Sequence, residues 1–498
     1  MTEENLIRQC RYYHGEKECP FEPKEGDNRP SLWFYEQSWV HDMLQYGESA
    51  FRGDVDEFDA YGAGKGLSSD LPKTLLARLF NRFGKGFYSM ADAAKAFPEF
   101  IGRWYGDTDL ARDRVFGCVV GGAVGDALGY AVEFKTWPSI AARYGEHGIT
   151  RYELDERGIA QISDDTQMSL FTAAGILLGM TRGNMRGIMA RPDYYCRYTY
   201  VDWLHTQQWT SRKKDERVDS WLMNVPGLYS RRAPGNTCLS ALREIEAHPG
   251  KPANNDSCGC GGVMRTAPVA IVCQYHSYAQ EKFAMCDDIA AGAARITHRH
   301  PLGFMPSAVL NDILMQILSG KVSGTDGLED AVKIASRRLS QVTSEEDDDK
   351  TYGELWPKHV TRMQEILDQA LRLAHTDIPD HEAIESIGGG WTGHEALAIA
   401  VYSAVKHADS FEDAIISAVN HSGDSDSTGA VSGNIVGCLL GYDAIPDCYK
   451  ERLELRNVIE EIAQDLYTGC IISEYDHYGS PEKRRWEDKY CEHEWPKS

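Results

Sequence analysis

No apolar stretch in this 498-residue chain reaches the roughly 20 residues that a membrane-spanning helix needs. That removes channels and transporters of the helical kind from consideration. Basic residues are also short: 52 Lys and Arg stand against 75 Asp and Glu, a net charge of -23, which disfavours nonspecific binding to nucleic acid or anionic membranes. Cysteines number 13, yet there is no CxxC pairing, and several (Cys118, Cys238, Cys273, Cys438) lie inside apolar helical runs, so a disulfide framework is excluded and buried reduced thiols are expected. Cys10, His14 and Cys19 are three loosely spaced zinc-ligand types, too few for a structural site. The start, Met1-Thr2-Glu3-Glu4, is acidic and leads into no apolar core, so no secretory signal is read there and a cytoplasmic protein is expected. Runs of alternating β-branched residues are scarce, which leaves little material for strands.

What remains is helical. From Arg112 to about Tyr467 long Ala, Leu, Ile and Gly segments recur at helical periods, and the spacing predicts an all-α domain over 111–470. Residues 1–110 have a different texture of mixed aromatic and charged residues and are expected to form a separate small module; 471–498 reads as a polar, aromatic tail. Two connections read as long and polar, Arg182 to Pro234 and Thr343 to Tyr352, the second carrying the solvated acidic run Glu345 to Asp349.

Glycine recurs every fourth residue in three of the helical segments: Gly117, Gly121, Gly125, Gly129; Gly175, Gly179, Gly183; and Gly429, Gly433, Gly437, Gly441. Glycine costs a helix about 1 kcal/mol relative to alanine, so such ridges imply helices whose backbones approach closely. Two acidic clusters sit at the starts of two of these helices, Ser163-Asp164-Asp165-Thr166 and Asp424-Ser425-Asp426-Ser427. Singly, each reads as a helix N-cap. Jointly they supply four carboxylates and flanking hydroxyls with no His or Cys, the hard oxygen donors that suit Mg²⁺ or Mn²⁺ rather than Zn²⁺, and that directs attention to hydrolysis.

Further motifs follow in order: Gly125-Asp126-Ala127-Leu128-Gly129 ending in Val132-Glu133-Phe134, the first acidic cluster, Gly261-Gly262-Val263-Met264-Arg265, Thr297-His298, and Gly423-Asp424-Ser425-Asp426-Ser427. This succession, over roughly 112–445, resembles the ADP-ribosylglycohydrolase family, in the Glu-Phe and Asp-Ser-Asp-Ser form of bacterial members such as those that reactivate dinitrogenase reductase. Residues 1–110 lie outside the resemblance. It implies an all-α fold holding two Mg²⁺ or Mn²⁺ ions on Ser163, Asp164, Asp165, Asp424, Asp426 and Ser427, and removal of ADP-ribose from protein side chains, arginine first. Glu133 is then the carboxylate beside the scissile bond, for positioning or proton transfer, and Asp165 a second group for activating water. Glycines that let backbone N–H groups approach a ligand, ahead of a helix N-terminus, make the loop of Ser257, Gly259, Gly261, Gly262, Val263 and Met264 the expected diphosphate cradle. His298 is a candidate substrate contact, and Gly390 with Trp391 are expected on the adenosine side. Arg265 is equally readable as a structural arginine. The partner is therefore an ADP-ribosylated protein or ADP-ribose itself. Two alternatives stay open: a serine, nucleic-acid or small-molecule linkage, and a binding protein that neutralises an ADP-ribosylating toxin through residues 1–110.

Overall fold

The computed structural model describes residues 108–186, 191–209, 220–276, 283–339, 356–472 and 481–491. The chain divides into two compact units, Met1–Ala111 and Arg112–Ser498. The module expected over 1–110, with Cys10, His14 and Cys19, falls outside the described residues apart from its last three, as does the acidic run 345–349.

The fold is all-α: among the described residues there is no β-strand, only two isolated bridges, Ala160 with Leu453 and Gly259 with Thr392. The helices run α1 (Thr108–Tyr130), α2 (Trp137–Tyr144), α3 (Asp164–Arg186), α4 (Asp193–Gln208), α5 (Asn236–Ala247), α6 (Ala267–His276), α7 (Phe283–Arg295) and α8 (Pro301–Leu318). They continue with α9 (Gly324–Leu339), α10 (Trp356–Ala374), α11 (Asp380–Ile387), α12 (Gly393–Lys406), α13 (Phe411–Val419), α14 (Ser425–Leu440), α15 (Asp447–Lys450), α16 (Arg456–Thr468) and α17 (Pro481–Tyr490). A 3-10 helix, Cys260–Arg265, connects the glycine-rich loop to α6. The outer helices are amphipathic. In α10 the buried positions Val360, Met363, Ile366, Leu367, Ala370, Leu371 and Ala374 keep the helical period and leave the opposite face to solvent. The central ones are mostly apolar: against the sequence reading, α8 is long and apolar enough to cross a membrane, but it lies wholly inside the core against α6, α7, α9 and α12, and a core helix passes the same test of length and composition.

The glycine ridges explain where the site sits. Those of α1 and α14 face each other antiparallel, Gly117 against Gly437, Gly121 against Gly433, Gly125 against Gly429, and Gly129 against Ser425. A Cβ built at Gly121 would stand 2.5 Å from the Gly433 carbonyl oxygen, and those at Gly117, Gly125 and Gly129 would be closer still to backbone oxygens. No side chain fits there, so the two helices touch backbone to backbone and their relative register is set to within one turn. The third ridge has a different partner. Gly175 and Gly179 of α3 receive α4, where added Cβ atoms would meet the Cys196 backbone and the Tyr195 ring. Within the connection read as long and polar, Arg182 to Pro234, the stretch Tyr200 to Gln207, whose sequence reads as helix packing, lies in α4 with Tyr200, Trp203 and Leu204 buried. Trp203 and Gln207 both donate to Gln167 of α3 (3.1 and 2.9 Å), tying the two helices just below the first acidic cluster. In the terminal segment Pro481–Tyr490 forms α17. Trp486 and Tyr490 of α17 are buried, the indole donating to Thr181 at 2.9 Å.

Replacing Gly125 by alanine is expected to cost about 1–3 kcal/mol by overpacking the α1–α14 seam. The control is Gly235→Ala: φ is -58° and nothing stands within 4 Å of the added Cβ, so a change below roughly 1 kcal/mol is expected there. Urea unfolding of both variants measures the contrast, and equal stabilities would remove the seam from the account.

Candidate active site

The seam ends at the site. Because α1 and α14 run antiparallel, the C-terminal end of α1, with Asp126 and then Glu133 in the turn after it, lies beside Asp424 to Ser427 at the start of α14. The start of α3 is drawn to the same point by Asp126. Its carboxylate accepts the Ser163 N–H (3.1 Å), the Thr166 N–H (3.1 Å) and the Thr166 hydroxyl. One helix thereby caps another, satisfying donors that the first turn of α3 leaves open. Ser163 Oγ accepts the Asp165 N–H at 3.1 Å, at the first turn of the same helix.

Ser163, Asp164, Asp165, Asp424, Asp426 and Ser427 are all buried. Glu133, Asp424 and Asp426 each offer a carboxylate oxygen within 4.8 Å of the others. Among the described residues this is the one such group of potential metal ligands. Glu133 Oε2 and Asp165 Oδ2 are buried with no hydrogen-bond partner. Burial, reinforced by the mutual repulsion of these groups, pushes the carboxyls upward. Glu133 rises to about 10, through burial first and then Asp426, Asp424 and Asp164, and Asp126 rises to about 7, through burial and then Asp426. Asp164, Asp165 and Asp424 stand well above the usual carboxylate range for the same two reasons, and Asp426 is raised chiefly by burial. Six carboxylates cannot all ionise in so small a volume without countercharge, and the largest influences on them are burial and one another. The donor set, oxygen throughout and partly unpartnered, fits hard divalent cations.

The remaining predicted residues surround this centre. Gly390 takes φ +79°, and a Cβ there would lie 3.3 Å from Asp424; Gly389 accepts the Asp424 N–H at 2.9 Å. Trp391 is 43% exposed and stacks on Phe134, itself 67% exposed with φ +63°, ring centroids 5.3 Å apart. The pair stands at the rim next to Glu133. Trp391 O accepts the Cys260 N–H (3.1 Å) and Cys258 O accepts the Gly393 N–H (2.8 Å), so the glycine-rich loop and the 388–393 turn form one wall. Within that loop Ser257 to Cys260 are only half-buried, whereas Gly261, Gly262, Val263 and Met264 are buried in the 3-10 helix. Gly262 is glycine for packing, because a Cβ would run into the Gly303 carbonyl. His298 lies beneath the loop, where a Cβ on Gly259 would be 3.2 Å from its Nε2. Burial and then Arg265 lower its pKa to about 3, so the imidazole is neutral. Arg265 is fully buried, donates to Thr297 Oγ1 (2.7 Å) and Ala293 O (3.2 Å), and lies over the Tyr200 ring: it is the structural arginine of the two readings. Asp126 was not among the predicted site residues. Its signal was an aspartate in the middle of a small, apolar helix, where a charge needs a partner.

Comparison with known proteins bears on this arrangement. The profile of the ADP-ribosylglycohydrolase family matches residues 107–474. The chain belongs to the ADP-ribosylglycohydrolase family. It is a hydrolase of that type, a class that removes ADP-ribose from modified targets. It is 26% identical to the ADP-ribosyl-[dinitrogen reductase] glycohydrolase of Rhodospirillum rubrum, over 69% of this chain and 92% of that protein. The ADP-ribosylhydrolase ARH1 of Dictyostelium discoideum is 23% identical over 69% of this chain and 91% of its own. A shorter match of 64 residues, 39% identical and covering 13% of this chain and 18% of the relative, is to the ADP-ribosylarginine hydrolase Tri1 of Serratia proteamaculans.

The raised carboxyls make a stability prediction. In the absence of cations the folded glycohydrolase binds more protons than the unfolded chain, so the contribution of Glu133 and Asp126 is fully present below their unfolded values near 4. It is lost as pH rises through about 7 for Asp126 and towards 10 for Glu133. The melting temperature of chelator-treated protein should fall between roughly pH 5 and pH 9, and added Mg²⁺ or Mn²⁺ should raise it most at the alkaline end, where the ligands are ionised. A melting temperature that the cation leaves unmoved across this range would contradict the site.

Proposed function

We propose that this chain is a hydrolase dependent on two Mg²⁺ or Mn²⁺ ions that cleaves the N-glycosidic bond between ADP-ribose and arginine side chains of proteins. The observation that carries the proposal is the convergence of the buried carboxyls of Asp164, Asp165, Asp424 and Asp426 with Glu133 from three chain segments. Asp164, Asp165, Asp424 and Asp426 hold the ions, with Ser163 and Ser427 as the replaceable donors. Bound divalent cations supply Lewis-acid polarisation and a water of lowered pKa.

The chain's own residues do the rest. Glu133 stands at the edge of the cluster, half-buried, with one oxygen unpartnered and therefore available to substrate or a proton. It orients the ribose and moves the proton as the C1″–N bond breaks, water oxygen bonds to C1″, and the guanidine leaves neutral or protonated. A carboxylate at that position also stabilises the oxocarbenium-like character of glycosidic cleavage. Asp165, next inward, assists in activating water. The half-buried Ser257 to Cys260 stretch holds the diphosphate, with the neutral His298 fixing the loop from below. Trp391 and Phe134 form an aromatic rim. Arginine is favoured as acceptor because a relative 39% identical over 64 residues carries that linkage in its name. The described cysteines are all free thiols, which agrees with a reducing cytoplasm. Toxin neutralisation through residues 1–110 concerns residues outside those described, and no observation made on the described ones favours it.

Purified protein with Mg²⁺ or Mn²⁺ should release ADP-ribose from ADP-ribosylarginine protein, with serine-linked and nucleic-acid-linked substrates turned over more slowly. Asp424→Ala should abolish release, and Glu133→Gln should lower kcat by about 10²–10⁴ with cation binding retained. Absence of release from every linkage would overturn the hydrolase reading; release from serine or nucleic acid but not arginine would overturn the acceptor.

A further inference from the structure

One buried carboxylate serves the site from outside it. Glu454 lies in the turn between α15 and α16, beyond the last of the sequence motifs, and is only 7% exposed. Its Oε2 accepts the Ile162 N–H at 3.1 Å, two residues before Asp164. Its Oε1 accepts from the Arg232 guanidinium at 3.2 Å and from that of Arg157 at 3.4 Å. The backbone adds to the contact: the Glu454 N–H donates to Ala160 O (3.0 Å) and the Ala160 N–H to Arg452 O (2.8 Å). Residues 160–162 are therefore fixed to 452–454 through main chain and side chain together. Arg232 supplies a second route to the same ligand. Asp164 is the first residue of α3, so its N–H finds no partner within the helix. Arg232 O accepts it at 3.1 Å, and the Gly235 N–H points at Asp164 Oδ2 from 3.4 Å. The loop 230–235 thus caps α3 at a residue proposed to hold a cation. Its shape depends on its surroundings: Ala233 takes φ +52°, a conformation that a residue with a side chain keeps only where its neighbours fix it.

We propose that Glu454 is a positioning residue of the cation centre, setting Asp164 through Ile162 on one side and through the Arg232 loop on the other. The inference rests on the reading of this centre as a cation site. Groups that orient metal ligands from behind cost about 10–100-fold in metal affinity or activity when they are removed. Glu454→Gln keeps the size of the side chain and one acceptor oxygen, but it cannot pair with two guanidiniums as a carboxylate does. Arg232→Met cuts the same tie from the side of the loop and leaves the backbone carbonyl at 232 in place. The loop retains a separate tether, Gln167 Nε2 donating to Ser230 O at 3.0 Å, so both variants are expected to fold. Asp155 is the internal comparison. It pairs with the exposed Arg157 at 2.7 Å, and asparagine there keeps an oxygen to accept the Arg157 and Ile159 N–H groups.

The test uses the full-length protein and a readout other than activity. Mn²⁺ binding is followed by the electron paramagnetic resonance of free Mn²⁺, well below the melting temperature of each variant. Wild type and Asp155→Asn should bind Mn²⁺ alike, whereas Glu454→Gln and Arg232→Met should each bind it about 10–100-fold more weakly. A residue that served the stability of the fold alone would lower the melting temperature and leave the Mn²⁺ affinity of the folded protein unchanged. Wild-type affinity in either variant therefore overturns the inference while leaving the cation centre standing, and Arg232→Met alone decides if Glu454→Gln does not fold. Weakening in Asp155→Asn as large as in Glu454→Gln also overturns it, because the loss would then follow from the charge of the network and not from the contacts to Ile162 and Arg232. Failure of Mn²⁺ to bind the wild type overturns the cation reading and the inference with it.

Discussion

The structure depends on one contact: the antiparallel, backbone-to-backbone seam between α1 and α14. Everything that makes the site is referred to it. Gly129 meets Ser425 at the end of the seam, so Asp126 and Glu133 of the first segment and Asp424 and Asp426 of the second have little freedom to separate. Side chains at these glycine positions would meet backbone oxygens at 2.0–2.5 Å and force the helices, and the carboxylates with them, apart. The close approach also stiffens the floor of the site, which the proposed cation centre needs, since ligand positions matter to within a few tenths of an ångström.

That rigid floor carries an electrostatic load. Six carboxylates gathered in a low-dielectric setting raise one another's pKa values and oppose folding unless protons or cations neutralise them. Hydrogen bonding from the start of α3 offsets part of this at Asp126, whose acceptors are fully used. Glu133 and Asp165 are not offset, and these two unpartnered oxygens are where the energy of cation and substrate binding is to be gained. Function and stability are therefore coupled at the same residues: the arrangement that disfavours the cation-free protein is the one proposed to hold the cation.

Much of this was legible in the sequence because it is written in spacing. A four-residue glycine interval and an acid pair at a helix start are local patterns, and Asp164, Asp165, Asp424, Asp426 and Glu133 all come to one place in the fold. What was not legible depends on partners distant in the chain. The third ridge packs on α4, a pairing that glycine spacing alone does not specify. Asp126 looked like part of a motif rather than the cap of another helix. Gly261 and Gly262 read as an open cradle, yet their lack of a side chain answers to packing against His298 and the Gly303 carbonyl. Glu454 gave no local sign of its partners, because Ile162 is 292 residues away.

The central claim is that the seam brings both acidic clusters to a single cation centre. Anomalous diffraction from crystals grown with Mn²⁺ tests it most directly. The account predicts anomalous density between the first turns of α3 and α14, within bonding distance of carboxylates from both clusters. Density bound by one cluster alone, or absent from the space between them, would contradict it.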